Sequence, residues 1–230
     1  MARIGNSRKP RRLTRRLVQL YLGLVAYGLS MAMMIRSRLG NMPWDVLHQG
    51  IARHLGVSIG WVAIGVGALA LLAWIPLRQW PGVGTVSNVV VIGLVMDRVL
   101  AVLPSPGALP VRVLLLVGGI VLNGIATGAY IGAGLGPGPR DGLMTGLARR
   151  TGRSIRLVRT CLEVVVVAAG WLLGGVFGVG TVLYAVSIGP LAQLFLPLFT
   201  PRAAVTPAGA PRAAGAAATP AAAVSPAAGS

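Results

Sequence analysis

Long runs of apolar residues, separated by short polar or glycine- and proline-containing segments, occupy most of this chain. A run of about 17 or more apolar residues is long enough to cross the hydrocarbon of a bilayer as an α-helix. The pattern predicts six such helices, at 17–35, 61–77, 85–103, 111–133, 157–175 and 181–199. The chain is therefore predicted to be an all-α membrane protein.

One polar phrase occurs twice. LGNMPWDVLHQGIARHLGVSI begins at Leu39, and LGPGPRDGLMTGLARRTGRSI begins 96 residues later at Leu135. Placing 17–93 on 113–189 without a gap gives 27 identities in 77 positions, and these include Asp, Pro, Ser and Thr. The sequence therefore predicts two three-span repeats, 17–104 and 111–199, in which residues 96 positions apart are repeat mates.

Three crossings per repeat is an odd number, so the second copy enters the membrane upside down. This predicts two inverted repeats related by a pseudo-two-fold axis in the membrane plane, as in many secondary transporters.

A helix break follows the first span of each repeat. Alternating Gly and Pro cannot continue a regular helix, whereas Pro43 and Pro139 suit the first turn of a new one. The segments that follow, 46–55 and 142–151, are too short to span. They are predicted to be short re-entrant helices, or amphipathic helices on the membrane surface.

These broken segments carry the main candidate site residues. Asp45 and Asp141 fall in the first helical turn, where a carboxylate complements the positive helix end. One hypothesis makes them symmetry mates that contact a substrate or ion, with Arg140 beside Asp141 and His48 as a one-sided proton acceptor. The alternative makes the acids simple first-turn charges and places His48 at the membrane interface.

Glu163 lies inside the fifth predicted span, where an isolated charge costs about 2.5–3.5 kcal/mol. Arg159 is four residues earlier on the same helical face, so the two form either a site or a self-neutralising pair.

A separate stripe of small residues recurs every fourth position along the fourth span, at Gly124, Gly128, Gly132 and Gly136. That stripe predicts close helix packing.

Composition and charge exclude several function classes. Of 230 residues, 55% are hydrophobic and 11% are charged, against about a quarter charged in soluble domains. The net charge of +17 comes without a basic soluble domain, so no nucleic acid partner is predicted. Cys161 is the only cysteine, and no catalytic triad, carboxylate pair or metal-ligand spacing occurs. No enzyme activity, metal site or cofactor is predicted.

Arginine placement predicts the orientation. The basic head at 1–16 carries seven Lys and Arg, and a second basic stretch covers 140–159, so both are placed in the cytoplasm with the N-terminus. Arg36, Arg38 and Arg53 would then lie outside, against this rule. The tail at 201–230 is rich in Ala and Pro and is predicted to be disordered.

The segments LGNMPWDVLHQG, GVGT and GPGPRDGLMTGLARR resemble the YczE branch of the YczE/YitT-type family of bacterial membrane proteins. The resemblance covers about 17–199 and implies a multi-pass protein of the bacterial cytoplasmic membrane. The repeats favour a transporter-like protein that moves an unidentified small solute or ion. The alternative is a scaffold or accessory protein, with a second copy or another membrane protein as its partner in the bilayer.

Overall fold

Eight α-helices and no strand make up residues 8–200, the part of the chain that the computed structural model describes. The helices are α1 (Arg8–Ser37), α2 (Pro43–Leu55), α3 (Ile59–Trp74), α4 (Val83–Val102), α5 (Leu109–Gly132), α6 (Pro139–Thr151), α7 (Ile155–Leu172) and α8 (Val179–Phe199). The tail at 201–230 and residues 1–7 of the predicted head lie outside the described residues. The remainder of that head belongs to α1.

Local sequence signals set the same helix boundaries in both repeats. The short helices α2 and α6 begin at Pro43 and Pro139, as predicted, and each ends at a glycine with left-handed backbone. The next helices start behind a serine cap. The Ser58 hydroxyl accepts a hydrogen bond from the N–H of Trp61, and the repeat mate Ser154 caps α7 in the same way. Identical breakers and caps therefore produce the same helix order twice.

Four helices are long and apolar enough to cross a membrane: α1, α4, α5 and α8. A fifth span is counted if α2 and α3, which meet at a bend of 114°, form one broken crossing. The fifth predicted span, α7, falls outside this group because its 18 residues include Arg156, Arg159 and Glu163. The chain is an all-helical membrane protein, and the number of six spans stays a prediction.

The central pair of helices, α1 and α5, is antiparallel and joined by equivalent bonds at its two ends. Arg16 Nε donates to the carbonyl oxygen of Ala133 at 2.6 Å, just after α5. Its repeat mate Arg112 donates through Nε to the carbonyl oxygen of Ser37 at 2.8 Å, at the end of α1. The bundle thus has a Ser37 end, where α1 ends and α5 begins, and an opposite end at Gly132.

The short helices and their partners join the two repeats. Within each repeat α4 packs on α1 and α8 packs on α5, whereas α2 packs on α7 and α6 packs on α3 across the repeats. The N–H of Gly84 donates to Leu135 O at 2.9 Å, and the N–H of Gly180 donates to Leu39 O at 2.8 Å. Neither half therefore completes its packing without the other.

The glycine stripe of α5 faces α8. A Cβ added at Gly128 would lie 2.9 Å from the carbonyl carbon of Phe195, and Gly124 and Gly132 make similarly close approaches to α8. Gly136 is not part of this face. It follows the end of α5 with a φ of 129° and lies against Thr85.

Candidate functional site

The first turns of the two short helices meet inside the bundle. The guanidinium of Arg140 lies 5.0 Å from the ring centroid of its repeat mate Trp44, in a cation–π contact. α2 follows the Ser37 end of the bundle and α6 follows the Gly132 end. Because chains entering from opposite ends touch at this point, both helices begin in the interior rather than at the ends of the bundle.

Asp45 lies next to this contact and is fully buried together with His48. His48 Nδ1 is 3.1 Å from Asp45 Oδ1. The outer atoms of the pair, Asp45 Oδ2 and His48 Nε2, have no hydrogen-bond partner among the described residues. The imidazole of His48 is therefore enclosed by other parts of the protein.

Asp141, the repeat mate of Asp45, has a different partner and is only partly buried. Its Oδ2 accepts a hydrogen bond of 2.9 Å from the hydroxyl of Tyr130. The partner of each acid has a methionine at the equivalent position of the other repeat: Met144 is the mate of His48, and Met34 is the mate of Tyr130. Each acid therefore has a polar partner that its repeat mate lacks: an imidazole for Asp45 and a phenol hydroxyl for Asp141.

A cavity of about 200 Å³ lies beside Asp141 and the first turn of α6. Its polar lining consists of Tyr27, Asn88, Thr127, Tyr130, Arg140, Asp141, Arg159 and Tyr184. Three of these groups remain available, because the side chains of Asn88, Thr127 and Arg140 make no hydrogen bond to another described residue. The cavity can hold a small polar molecule between a guanidinium, a carboxylate and several phenol hydroxyls.

A buried hydrogen-bond network supports the cavity wall from behind. The Tyr184 hydroxyl donates to Asn123 Oδ1 at 3.0 Å, and Asn123 Nδ2 donates to Ser30 Oγ at 2.8 Å. These residues were not among the candidates predicted from the sequence. Their signal was available, since Asn123 is a buried amide within a long apolar run, and its repeat mate Tyr27 lines the cavity.

Arg159 and Glu163 form an ion pair of 2.9 Å on α7. Arg159 lines the central cavity, whereas Glu163 faces an apolar groove between α7 and α8. The structure therefore brings Arg159 to the candidate site with Arg140 and Asp141, and places Glu163 outside it. No group of three or more His, Cys, Asp or Glu side chains that could hold a metal ion occurs within residues 8–200.

The DUF6198 family, a family of unknown function, matches residues 14–197. The chain belongs to this family. The match covers the first repeat, all but the last two residues of the second, and all the residues of the candidate site. The DUF6198 match leaves the reaction and the ligand open.

Two relatives of this DUF6198 protein are similar over most of its length, and the second of them shows its YczE-type membership. An uncharacterized protein of Haemophilus influenzae is 42% identical over 177 residues, which cover 77% of this chain and 81% of the relative. The uncharacterized membrane protein YczE of Bacillus subtilis is 34% identical over 179 residues, which cover 77% and 83% of the two chains. No solved structure matches the chain.

Proposed function

We propose that this DUF6198 protein is a transporter-like protein of the bacterial cytoplasmic membrane, which moves a small solute or ion through the central cavity. The observation that carries the proposal is the meeting of Trp44 and Arg140 beside that cavity. Broken helices whose first turns meet at the midplane form the substrate sites of many secondary transporters. Arg140, Asp141 and Arg159 line the same cavity, where their charged side chains would contact a polar solute.

The proposed architecture is a pair of inverted repeats with six crossings. The antiparallel α1 and α5 support it, as do the equivalent bonds of Arg16 and Arg112. In this arrangement α2 with α3, and α6 with α7, are broken crossings whose short first parts re-enter the membrane. A two-fold axis then passes near the Trp44–Arg140 contact, because residues on such an axis contact their own repeat mates.

Solute flux provides the direct test. Purified protein in liposomes is expected to release at least one member of a panel of amino acids, organic acids, phosphates and alkali cations. Asp141→Asn should lower that rate by about tenfold or more, as expected when a charged hydrogen-bond partner of a ligand is neutralised. Arg98→Gln, which removes an exposed charge outside the cavity, should retain most of the rate.

An unchanged melting temperature in both variants would assign the loss to the cavity rather than to the fold. Failure of every solute to move, or equal loss in Asp141→Asn and Arg98→Gln, would contradict the transport proposal.

Cysteine labelling tests the inversion separately. Val57 and Arg153 are exposed repeat mates in the turns that follow α2 and α6. In a Cys161→Ser background, Val57→Cys should react with an impermeant maleimide in intact cells, and Arg153→Cys only after the cells are opened. Labelling of both from one face would mean that the repeats point the same way.

The alternative function, a membrane scaffold or accessory protein, drew on the glycine-lined face of α5. That face is covered by α8 of the same chain. It therefore offers no free surface to a partner, and the central cavity favours transport over scaffolding.

A further inference from the structure

A second cavity opens at the Ser37 end of the bundle, away from the central site. It measures about 770 Å³. Its charged and polar lining consists of Arg36, Arg38, Gln49, Arg53, Ser58 and Asp97. This arginine vestibule shares no lining residue with the central cavity.

The charge of the arginine vestibule is unbalanced. Three guanidinium groups face one carboxylate, that of Asp97. Asp97 is already engaged, because it accepts hydrogen bonds from the Ser58 hydroxyl and from the N–H of Gly60 at 2.7 Å. The lining therefore carries two positive charges that no other lining side chain offsets.

Two of the arginines have structural partners. Arg36 donates to Leu100 O and, at 3.0 Å, to the Ser105 hydroxyl, while its buried Nε has no partner among the described residues. Arg53 donates to Gly174 O. Both side chains are thus held at the vestibule wall with N–H groups to spare, since a guanidinium has five.

Arg38 has no structural role of this kind. Its guanidinium makes no hydrogen bond to another described residue, and the side chain is exposed. Its backbone is left-handed, with a φ of 55°, a conformation that favours glycine. The repeat mate is Gly134, with a φ of 62°. Glycine would suit position 38 better, so the fold does not require an arginine there.

We propose that the arginine vestibule binds a phosphate monoester dianion. A dianion matches the two unbalanced charges, and planar guanidinium forks bind phosphate oxygens in pairs. The binding site would also account for the three arginines that the predicted orientation places outside the cell, against the usual bias. This ligand chemistry occurs in free phosphate esters and in phosphatidic acid headgroups. The proposal does not depend on transport through the central cavity.

Arg38→Gly is the decisive variant because it removes the charge and relieves the backbone at the same time. Arg78→Gly is its matched control. Arg78 is exposed, has a φ of 52° and lies outside the arginine vestibule. Both variants should fold at least as well as the parent protein.

Calorimetric titration of the full chain in phosphatidylcholine nanodiscs, with glycerol 3-phosphate as probe, tests a free ligand. Retention of phosphatidic acid in native mass spectra tests a lipid ligand. In at least one of the two measurements, Arg38→Gly should weaken binding by about tenfold, the loss expected for one charge-assisted contact. Arg78→Gly should change neither by more than about twofold, as expected for a distant exposed charge.

If Arg38→Gly weakens binding only in the calorimetric titration, the ligand is a free phosphate ester. If it does so only in the mass spectra, the ligand is a lipid headgroup. The proposal is overturned if neither ligand binds, if Arg38→Gly leaves both affinities unchanged, or if Arg78→Gly weakens binding as much as Arg38→Gly does.

Discussion

Gly93→Leu is expected to prevent stable folding, whereas Gly189→Leu at the equivalent position is expected to leave the fold intact and obstruct the cavity. A Cβ at Gly93 would lie 2.6 Å from Ile64 Cγ1 and 2.7 Å from Gly60 O on α3. At Gly189 no described atom lies within 4 Å of the added carbon. A side chain at position 93 would thus collide with α3, whereas one at position 189 would enter open space.

The cost at Gly93 should be large. Overpacking costs roughly 1–3 kcal/mol when side chains can move, and a close backbone oxygen cannot move without displacing α3. We expect Gly93→Leu to lose about 3 kcal/mol or more, seen as a lower melting temperature and poor recovery in mild detergent.

Gly189→Leu should melt with the parent protein but lose solute flux, because Gly189 lines the central cavity. Gly189→Ala, which adds one methyl group, should retain part of the flux. Equal destabilisation at 93 and 189 would show that α8 packs on α7 as α4 packs on α3.

The difference between these mates comes from the sequence of α7. Gly60 and Gly67 on α3 allow α4 to approach, but their mates on α7 are Arg156 and Glu163. Glu163 lines an apolar groove of about 520 Å³ that remains between α7 and α8, whereas its mate Gly67 lies against Val89 of α4. The repeats share helix order but not the closeness of their outer helices.

Much of the helix order could be predicted from the sequence because it depends on local signals. Pro43 and Pro139 start the short helices, and the serine caps start the next ones. Apolar length identified α1, α4, α5 and α8 as spans. The repeat itself was visible because breakers and acids stand in register at positions 96 residues apart.

The composition of the site could not be predicted in the same way, because it depends on contacts between the halves. Asp45 and Asp141 were singled out as equivalent, yet one is enclosed with His48 and the other is bound by Tyr130 at the cavity wall. Arg140 was placed beside Asp141 by sequence, whereas its contact with Trp44 arises only when α2 and α6 meet.

His48→Met should be among the most destabilising substitutions in the site, even though methionine is the residue at the mate position, Met144. It leaves the carboxyl of Asp45 buried without the only side-chain partner that it has among the described residues. A buried polar group left without a hydrogen-bond partner costs about 1–3 kcal/mol, and a carboxylate costs more than a neutral group. We expect a loss of about 3 kcal/mol in the free energy of unfolding, measured in detergent with a mild denaturant.

A double-mutant cycle separates the pair from general packing. Asp45→Asn alone keeps an amide oxygen beside His48 and should cost about 1 kcal/mol. Combined with His48→Met, it should recover stability relative to His48→Met alone, because no carboxylate then remains in the interior. Tyr130→Phe is the comparison in the other half. Since Asp141 is only partly buried, that variant should lose about 1 kcal/mol or less. Additive losses at 45 and 48 would mean that the two buried side chains contribute independently and that their proximity has no energetic role.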